Sequence, residues 1–204
     1  QHFNHPAYGY NDQLFNREGW EYILTEHNGR LPVAIKALPE GTVLPVKNVL
    51  FTLVNTDPKC YWLTNYLESL LVQVWYPTTV CTQGRQIKQV IKKYLTDTGC
   101  EDLSLFSLHD FGFRGVSSVE SAAIGSAAHM VNFLSSGTLP GLMFAREYYC
   151  ENGAGRSFPA SEHSTVVSWG KEHELEAYMR MLEQHPKGTV SCVVDSYDTF
   201  ASLE

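Results

Sequence analysis

The sequence predicts an α/β fold, and two observations support this prediction. From about residue 103, short apolar segments alternate with segments of helical periodicity, which is typical of parallel strands wrapped by helices in a barrel or an open sheet. The 204 residues are 44% hydrophobic and 18% charged, as expected of a globular chain with a substantial core. In such folds ligands bind at the C-terminal ends of the strands, so polar clusters that follow predicted strands are candidate sites.

The first half of the chain shows a different order of elements. We expect a short helix near Gly19–Thr25 and two strands, at Val33–Ala37 and Val49–Val54, with a turn between the strands. Asp57 is placed to cap a further helix, which Pro77 is predicted to end. A second helix follows, with its apolar face at Ile87, Val90, Ile91, Tyr94 and Leu95.

The second half alternates strands with helices. The predicted strands are Leu103–Leu108, Val131–Leu134 and Val190–Val194, and the predicted helices are Ser118–Met130, Leu142–Tyr149 and His173–His185. Ser117 and Glu120 have the spacing of a capping box at the start of the first helix. That helix carries a stripe of small residues that predicts close helix packing: Ala122, Ala123, Gly125, Ala127 and Ala128. The last helix is expected to point Leu175, Tyr178, Met179 and Leu182 inward.

Charge and cysteine usage exclude several classes of protein. The net charge is −7 without a Lys/Arg cluster, so neither nucleic acid nor an anionic membrane is an expected partner. No apolar run approaches the length of a membrane span. The five cysteines have no Cys-x-x-Cys spacing, which favours free thiols in a reducing, cytoplasmic environment. The eight histidines show no metal-binding spacing, so we expect no metal held by protein ligands alone.

A first polar cluster spans residues 109–115, directly after a predicted strand. It contains His109, the aromatic residue Phe111 and the basic residue Arg114. Phe111 could stack on a planar ring, and Arg114 could bind a phosphate with two hydrogen bonds. The alternative is that Phe111 belongs to the core and Arg114 pairs with a surface carboxylate.

Two further polar clusters are candidate sites, and the second of them directly follows a predicted strand. In residues 161–165, His163 stands beside hydroxyl residues at a loop-to-helix junction and could bind or accept a phosphoryl group. The alternative is an ordinary hydrogen-bonded histidine at a capped helix start. In residues 195–198, Asp195 could orient a histidine or hold a ligand hydroxyl, or it could simply cap a helix.

These clusters make the sequence resemble the nicotinamide phosphoribosyltransferase family. The resemblance is carried by HDFGFRGVSS at residues 109–118, ASEHSTVVSWGKEH at 160–173 and VVDSYD at 193–198, and it extends over Leu31–Val80. It covers essentially the whole chain, and the matching strings agree in order and spacing.

The resemblance implies a homodimer of a type II phosphoribosyltransferase fold. Residues 1–99 would form part of a β-rich domain with connecting helices, and residues 100–204 the first part of an incomplete α/β barrel-like domain. The implied reaction transfers the phosphoribosyl group from phosphoribosyl pyrophosphate to nicotinamide, giving nicotinamide mononucleotide for NAD synthesis. Mg²⁺ would accompany the pyrophosphate, and ATP would stimulate the reaction through a phosphorylated histidine.

The resemblance also implies residue roles. Phe111 matches the aromatic that stacks on the pyridine ring, His109 lines the same pocket, and Ser191 matches a hydroxyl near the carboxamide. Its implied catalytic and phosphate-binding residues are His163 as the phosphorylated histidine, Asp195 as the carboxylate that orients it, and Arg114 as a phosphate ligand.

The sequence departs from the family at two positions. Gly137 stands where the family has the Asp that accepts the carboxamide N–H, and Phe158 replaces a smaller aliphatic residue. The chain also begins with Gln1 rather than Met and stops at Glu204, soon after a predicted helix start, so we expect truncation at both ends. Some family site residues would then lie outside the chain, and these 204 residues alone would lack transferase activity.

Two alternatives to the nicotinamide enzyme stay open. One is a phosphoribosyltransferase that uses nicotinate, which Gly137 favours. The other is a non-enzymatic extracellular signalling protein of the same family. His163, Arg114 and Asp195 favour an enzyme, because a receptor ligand would not need these residues.

Overall fold

The computed structural model describes residues 4–5, 9–10 and 14–203, which form a mixture of helices and short strands. The chain divides into two compact units, Gln1–Thr79 and Val80–Glu204, each described separately below. The domain boundary predicted after residue 99 stays a prediction. Within the described residues, no helix is both long and apolar enough to cross a membrane.

The first unit contains two small antiparallel sheets. One pairs β1 (Asn4–His5) with β2 (Gly9–Tyr10), and the other pairs β3 (Val33–Ala37) with β4 (Phe51–Asn55). In the second sheet Val33 lies opposite Asn55. Both strands predicted in this region are confirmed, with the second displaced toward Asn55.

Two helices provide the core of the first unit. These are α1 (Arg17–Glu26), which confirms the predicted short helix, and α2 (Leu63–Leu71). Asn16 starts α1 because its side-chain oxygen accepts the Gly19 N–H. The buried cluster consists of Ile23, Cys60, Leu63 and Leu67.

Asp57 is a cap, but of a short 3-10 helix rather than of α2. Its carboxylate accepts the Lys59 N–H at 2.9 Å, the Tyr22 hydroxyl at 2.9 Å and His27 Nε2 at 2.8 Å. The hydrogen bond from Lys59, followed by those from His27 and Tyr22, lowers the pKa of Asp57. This polar network ties the end of α1 to the 3-10 turn at Pro58–Cys60.

The next helix, α3, spans Trp75–Thr98, so the prediction that Pro77 ends a helix was wrong. Pro77 lies in the first turn of α3, where a missing N–H costs nothing because the first N–H groups of a helix have no partner in the helix. The predicted end before Gly99 is confirmed.

Four helices follow in the second unit. They are α4 (Val119–Met130), α5 (Leu139–Tyr149), α6 (His163–Trp169) and α7 (Glu174–Gln184). The helix cap of α4 is Ser118, whose hydroxyl accepts the Ser121 N–H, so the capping box predicted at Ser117 was wrong by one residue.

Helices α4 and α5 pack closely, as the stripe of small residues predicts. Most of the stripe is buried on α4. A Cβ built at Gly141 of α5 would lie 2.3 Å from the Cβ of Ser126, so this contact excludes any side chain at position 141.

The face of α7 that was predicted to point inward is mostly exposed. Leu175 is 72% exposed, and Met179 and Leu182 are each 52% exposed. Ala177 is the residue of α7 that is fully buried. Periodicity identified the apolar face correctly, but the described residues do not cover it.

None of the three strands predicted in the second unit forms as a strand. Residues Glu101–Leu105 form a 3-10 helix instead, and the extended segments pair through single bridges. These bridges join Asp110 to Ser136, Ser135 to Arg156 and Ala160 to Ser191, and all are parallel. The predicted parallel arrangement is therefore present, but mainly at polar residues beyond the apolar runs.

Candidate active site

The candidate site lies where the bridged segments end. Backbone hydrogen bonds run from the Ser136 N–H to the Arg156 carbonyl, at 3.2 Å, and from the Ser161 N–H to the Ser191 carbonyl, at 2.9 Å. Parallel pairing brings the C-terminal ends of neighbouring segments to one edge. The polar clusters predicted from the sequence follow these ends.

His163 and Asp195 meet at this edge. The Nδ1 atom of His163 lies 2.8 Å from a carboxylate oxygen of Asp195. Because a carboxylate only accepts, Nδ1 is the donor, and Nε2 is left for another partner. Both side chains are more than half exposed. The structure therefore brings together the two residues of the predicted pair. The predicted alternative is that Asp195 caps a helix. The residue that accepts N–H groups at this point is Asp198, from Phe200 and Ala201.

Glu162 precedes His163 in the chain, and its carboxylate contacts Ser164 and Arg114. Its carboxylate caps α6 by accepting the backbone N–H of Ser164 at 2.7 Å, and it also accepts the Ser164 hydroxyl. Its other oxygen lies 3.5 Å from Nη1 of Arg114. The two hydrogen bonds from Ser164, aided by the charge of Arg114, lower the pKa of Glu162, so the carboxylate stays ionised.

Arg114 lies in the 3-10 helix Gly112–Gly115, and its side chain is 82% exposed. Its contact with Glu162 matches the alternative of a surface ion pair. Such an exposed pair is worth about 0–1 kcal/mol, so it leaves the guanidinium available to an incoming anion. We call Arg114, Glu162, His163 and Asp195 the anion cluster. Sequence reasoning singled out the other three but not Glu162, because glutamate is not among the residues preferred as helix N-caps.

A second part of the candidate site consists of three aromatic rings that lie close together. The centroid of the His109 ring lies 4.4 Å from that of Phe111 and 5.4 Å from that of Phe158. Phe111 is 62% exposed, which rules out the alternative that it belongs to the core. A Cβ built at Gly137 would lie 3.3 Å from the Phe111 ring and 3.5 Å from His109 Nε2. We call these four residues the base cluster.

The imidazole of His109 is buried at both nitrogens. Neither nitrogen has a hydrogen-bond partner among the described residues. Burial, followed by repulsion from His129, lowers the pKa of His109, although Asp110 opposes this shift. A neutral imidazole offers one donor and one acceptor.

Asp110 holds the base cluster in place. Its carboxylate accepts the Gly112 N–H at 2.8 Å and the Ser136 hydroxyl at 3.1 Å, and its carbonyl accepts the Gly137 N–H at 2.9 Å. Burial alone would raise the pKa of Asp110, but the hydrogen bonds lower it overall. Sequence reasoning did not single out Asp110, although a carboxylate directly after a predicted strand was the signal used for Asp195.

Ser191 is not brought to either cluster by a described contact. Its backbone N–H donates to the Pro159 carbonyl at 2.9 Å, and its carbonyl accepts the Ser161 N–H. The described residues show no hydrogen bond or ring contact between Ser191 and the base cluster. Its observed role is in the backbone pairing.

One group in the first unit has the side-chain types of a metal site. Ligand atoms of His27, Asp57 and Cys60 lie within 4.8 Å of one another. The carboxylate of Asp57 already accepts three hydrogen bonds, and burial raises the pKa of the Cys60 thiol, which disfavours the thiolate that binds metals. A hydrogen-bonded network accounts for this group without a metal.

Comparison with known proteins finds similarity to phosphoribosyltransferases. Residues 106–204 match the nicotinate phosphoribosyltransferase (NAPRTase) family. A nicotinamide phosphoribosyltransferase of Xanthomonas campestris pv. campestris is 49% identical over 193 residues, which are 93% of this chain and 41% of that protein. The chain is therefore similar to that family over residues 106–204 and to a nicotinamide phosphoribosyltransferase over nearly its whole length.

Two further relatives show the same similarity. A nicotinamide phosphoribosyltransferase of Acinetobacter baylyi is 35% identical over 90% of this chain and 37% of its own length. One of Mycoplasma pneumoniae is 32% identical over 96% of this chain and 43% of its own length. The chain thus spans about two fifths of the curated relatives it matches. Both clusters lie within the residues that match the phosphoribosyltransferase family.

Proposed function

We propose that the protein transfers the phosphoribosyl group from phosphoribosyl pyrophosphate to nicotinamide, giving nicotinamide mononucleotide for NAD synthesis. The observation that carries this proposal is the presence of a ring-binding cluster and an anion cluster on segments that end at one parallel edge. The names of the relatives support nicotinamide as the base.

The two clusters have different roles in the proposed reaction: one binds the base, and the other binds phosphate groups. The exposed ring of Phe111 stacks on the pyridine ring, and His109 lines the same pocket. Arg114 binds phosphate oxygens, and these contacts replace its weak contact with Glu162. The ring nitrogen of nicotinamide forms a bond to the anomeric carbon as the bond to pyrophosphate breaks. Because positive charge develops on the sugar, positioning and charge stabilisation matter more than a protein nucleophile.

His163 is the proposed phosphoryl acceptor of the ATP-stimulated cycle. Asp195 keeps the proton on Nδ1, so the lone pair of Nε2 is free to form a bond to the γ-phosphorus of ATP as ADP leaves. Asp195 also stabilises the positive charge that the ring acquires in this step.

Mg²⁺ fits the same end of the site. The ion usually takes one or two carboxylates and several phosphate oxygens or waters. Two carboxylates are available there: that of Glu162, beside Arg114, and the exposed one of Asp195, beside His163. When bound, Mg²⁺ would neutralise charge on the pyrophosphate.

The wider architecture is part of the proposal. We propose a cytoplasmic homodimer of a type II phosphoribosyltransferase fold, in which residues 1–99 contribute to a β-rich domain and residues 100–204 to a barrel-like domain. Support comes from the parallel bridges, from the five free cysteines and from the family match.

The test is product formation by the protein expressed from its complete reading frame. Phosphoribosyl pyrophosphate is supplied with nicotinamide or nicotinate, with and without ATP, and mononucleotides are separated by chromatography. We expect nicotinamide mononucleotide as the main product and a higher yield with ATP. A larger catalytic efficiency with nicotinate would mean that nicotinate, not nicotinamide, is the substrate. If neither base gave a product, the proposed transferase activity would be wrong.

A further inference from the structure

The hydroxyl of Ser161 occupies a position that a backbone carbonyl normally fills. The Ser191 N–H donates to the Pro159 carbonyl at 2.9 Å, and the Ser191 carbonyl accepts the Ser161 N–H at 2.9 Å. In a regular parallel ladder the next bond would run from the Val193 N–H to the Ser161 carbonyl. The Val193 N–H donates instead to Oγ of Ser161, at 2.9 Å.

The replacement occurs at the last residue before Glu162, which caps the start of α6. The chain leaves the paired segment at Glu162, whose carbonyl already accepts N–H groups of the first helical turn, from Thr165 and Val166. Strand pairing therefore ends at Ser161. Its side chain supplies one more acceptor and extends the pairing toward the edge of the site.

This hydrogen bond connects the two segments that carry His163 and Asp195. Ser161 lies two positions before His163, and Val193 lies two positions before Asp195. His163 and Asp195 have 57% and 59% of their side-chain surfaces exposed, so surrounding side chains do not fix them. Their 2.8 Å contact depends on where the backbone places them.

We propose that Ser161 is a positioning residue for the His163–Asp195 pair. Its hydroxyl sets the register of the two segments, so that Asp195 keeps the proton of His163 on Nδ1 and leaves Nε2 free. The use of that pair in phosphoryl transfer rests on the proposed function, whereas the tautomer of His163 is measurable without any activity.

The first measurement is the tautomer of His163 in the protein expressed from its complete reading frame, with ¹⁵N-labelled histidine. Two-bond ¹⁵N–¹H spectra show which ring nitrogen carries the proton. We expect the Nδ1–H form in the wild type and a mixture in Ser161→Ala. Ser161→Thr, which keeps a hydroxyl, should restore the Nδ1–H form, and Ser161→Val, of similar volume, should not.

Ser168, on helix α6, provides a control for loss of a serine hydroxyl close to His163 in sequence. Its hydroxyl donates to the Thr165 carbonyl at 2.7 Å and does not reach the paired segments. Ser168→Ala should keep the tautomer of the wild type. In Ser161→Ala, labelling of His163 by γ-labelled ATP should slow about three- to tenfold, the effect expected from one lost hydrogen bond. The KM for nicotinamide should not change, because base stacking comes from Phe111.

The outcomes separate this inference from the proposed function. A wild-type tautomer in both Ser161→Ala and Ser161→Val would overturn the positioning role. Equal loss in Ser161→Thr and Ser161→Val would also overturn it, because shape rather than the hydroxyl would then matter. A protein that makes no mononucleotide would reject the proposed function, yet the comparison of tautomers would still decide the role of Ser161.

Discussion

The anion cluster and the base cluster differ in how far the protein alone completes them. In the anion cluster each charged side chain already has a partner: His163 with Asp195, and Arg114 with Glu162. In the base cluster the rings approach one another, but both nitrogens of His109 are buried without a hydrogen-bond partner in the part of the chain that the structure describes. An unpaired buried polar atom raises the free energy of the folded protein. We therefore expect a polar ligand to supply missing hydrogen bonds in the base cluster rather than in the anion cluster.

This comparison predicts that the anion cluster acts as an assembled unit. His163→Ala should abolish labelling by γ-labelled ATP and the stimulation by ATP, but it should leave some transfer, since base stacking and ribose positioning come from other residues. The measurement is acid-labile phosphate on the protein, with mononucleotide yield measured in parallel.

His173 offers a control of nearly equal geometry. Its Nδ1 lies 2.9 Å from Glu176, and its side chain is 57% exposed, as is that of His163. Glu176 also raises the pKa of His173 through its hydrogen bond and charge. His173→Ala should keep full labelling. If it lost labelling while His163→Ala kept it, the acceptor would be a different histidine from the one proposed.

Substrate selectivity should separate the two clusters. Phe111→Ala should raise the KM for the base about tenfold and leave the KM for phosphoribosyl pyrophosphate nearly unchanged, because a lost aromatic pair costs roughly 0.5–1.5 kcal/mol beyond area burial. Arg114→Ala should show the reverse selectivity, because it removes a phosphate ligand. Steady-state kinetics with each substrate varied in turn gives both constants. Equal effects of both variants on both substrates would contradict the division into clusters.

Three of the four residues of the anion cluster could be predicted because short motifs of the sequence resemble those of a known family. His163 and Asp195 were expected to form a pair, and they lie within hydrogen-bonding distance. Glu162 and Asp110 were not predicted because the resemblance implied no role for them, and their hydrogen-bond partners cannot be identified from the sequence without the fold. Arg114 and Glu162 are 48 residues apart, and Asp110 and Ser136 are 26 apart.

The fold was predicted well where local signals decide and less well elsewhere. Strand β3 and helix α1 follow their propensities and caps. The strands predicted in the second unit are misplaced because apolar runs such as Val131–Leu134 predict pairing within the run, whereas the bridges form at Ser135 and Ser136. Pro77 predicts a helix end when the helix start is unknown, because proline is compatible with the first turn of a helix but not with its interior.

Asp110 should affect the stability of the base cluster in a pH-dependent way. Its pKa is lowered in the folded state, so its carboxylate contributes stability above the unfolded pKa of about 3.9. That contribution is lost as the pH falls through the folded pKa. Asp110→Asn should therefore reduce the free energy of unfolding by about 1 kcal/mol at neutral pH, with a smaller difference at acidic pH.

Urea unfolding of both proteins at several pH values measures this difference. Asp97→Asn, at an exposed position on α3, serves as the control and should match the wild type. The Asp110→Asn variant should still be labelled on His163 when folded, since Asp110 contacts the base cluster and not the anion cluster. A constant difference at every pH would mean that the carboxylate charge of Asp110 is not what stabilises the fold.

Substitution of Gly137 should have the smallest effect on substrate selectivity, because a side chain at this position must share space with Phe111. A Cβ at position 137 would lie 3.3 Å from the Phe111 ring, so the ring must shift slightly, and its 62% exposure allows this. The carboxylate of Gly137→Asp would then lie in the base cluster. It would accept the carboxamide N–H of nicotinamide and repel the carboxylate of nicotinate.

We therefore expect the wild type to prefer nicotinamide, and Gly137→Asp to widen that preference about threefold, since one hydrogen bond contributes about 1 kcal/mol and the shift of Phe111 offsets part of it. The measurement is the ratio of kcat/KM for nicotinamide and nicotinate. Gly137→Ala adds the same Cβ without a carboxylate, so it should raise the KM of both bases equally and leave the ratio unchanged. If Gly137→Asp also left the ratio unchanged, the added carboxylate would not reach the base, and selectivity would have to come from other residues, with Phe158 beside His109 as the next position to vary.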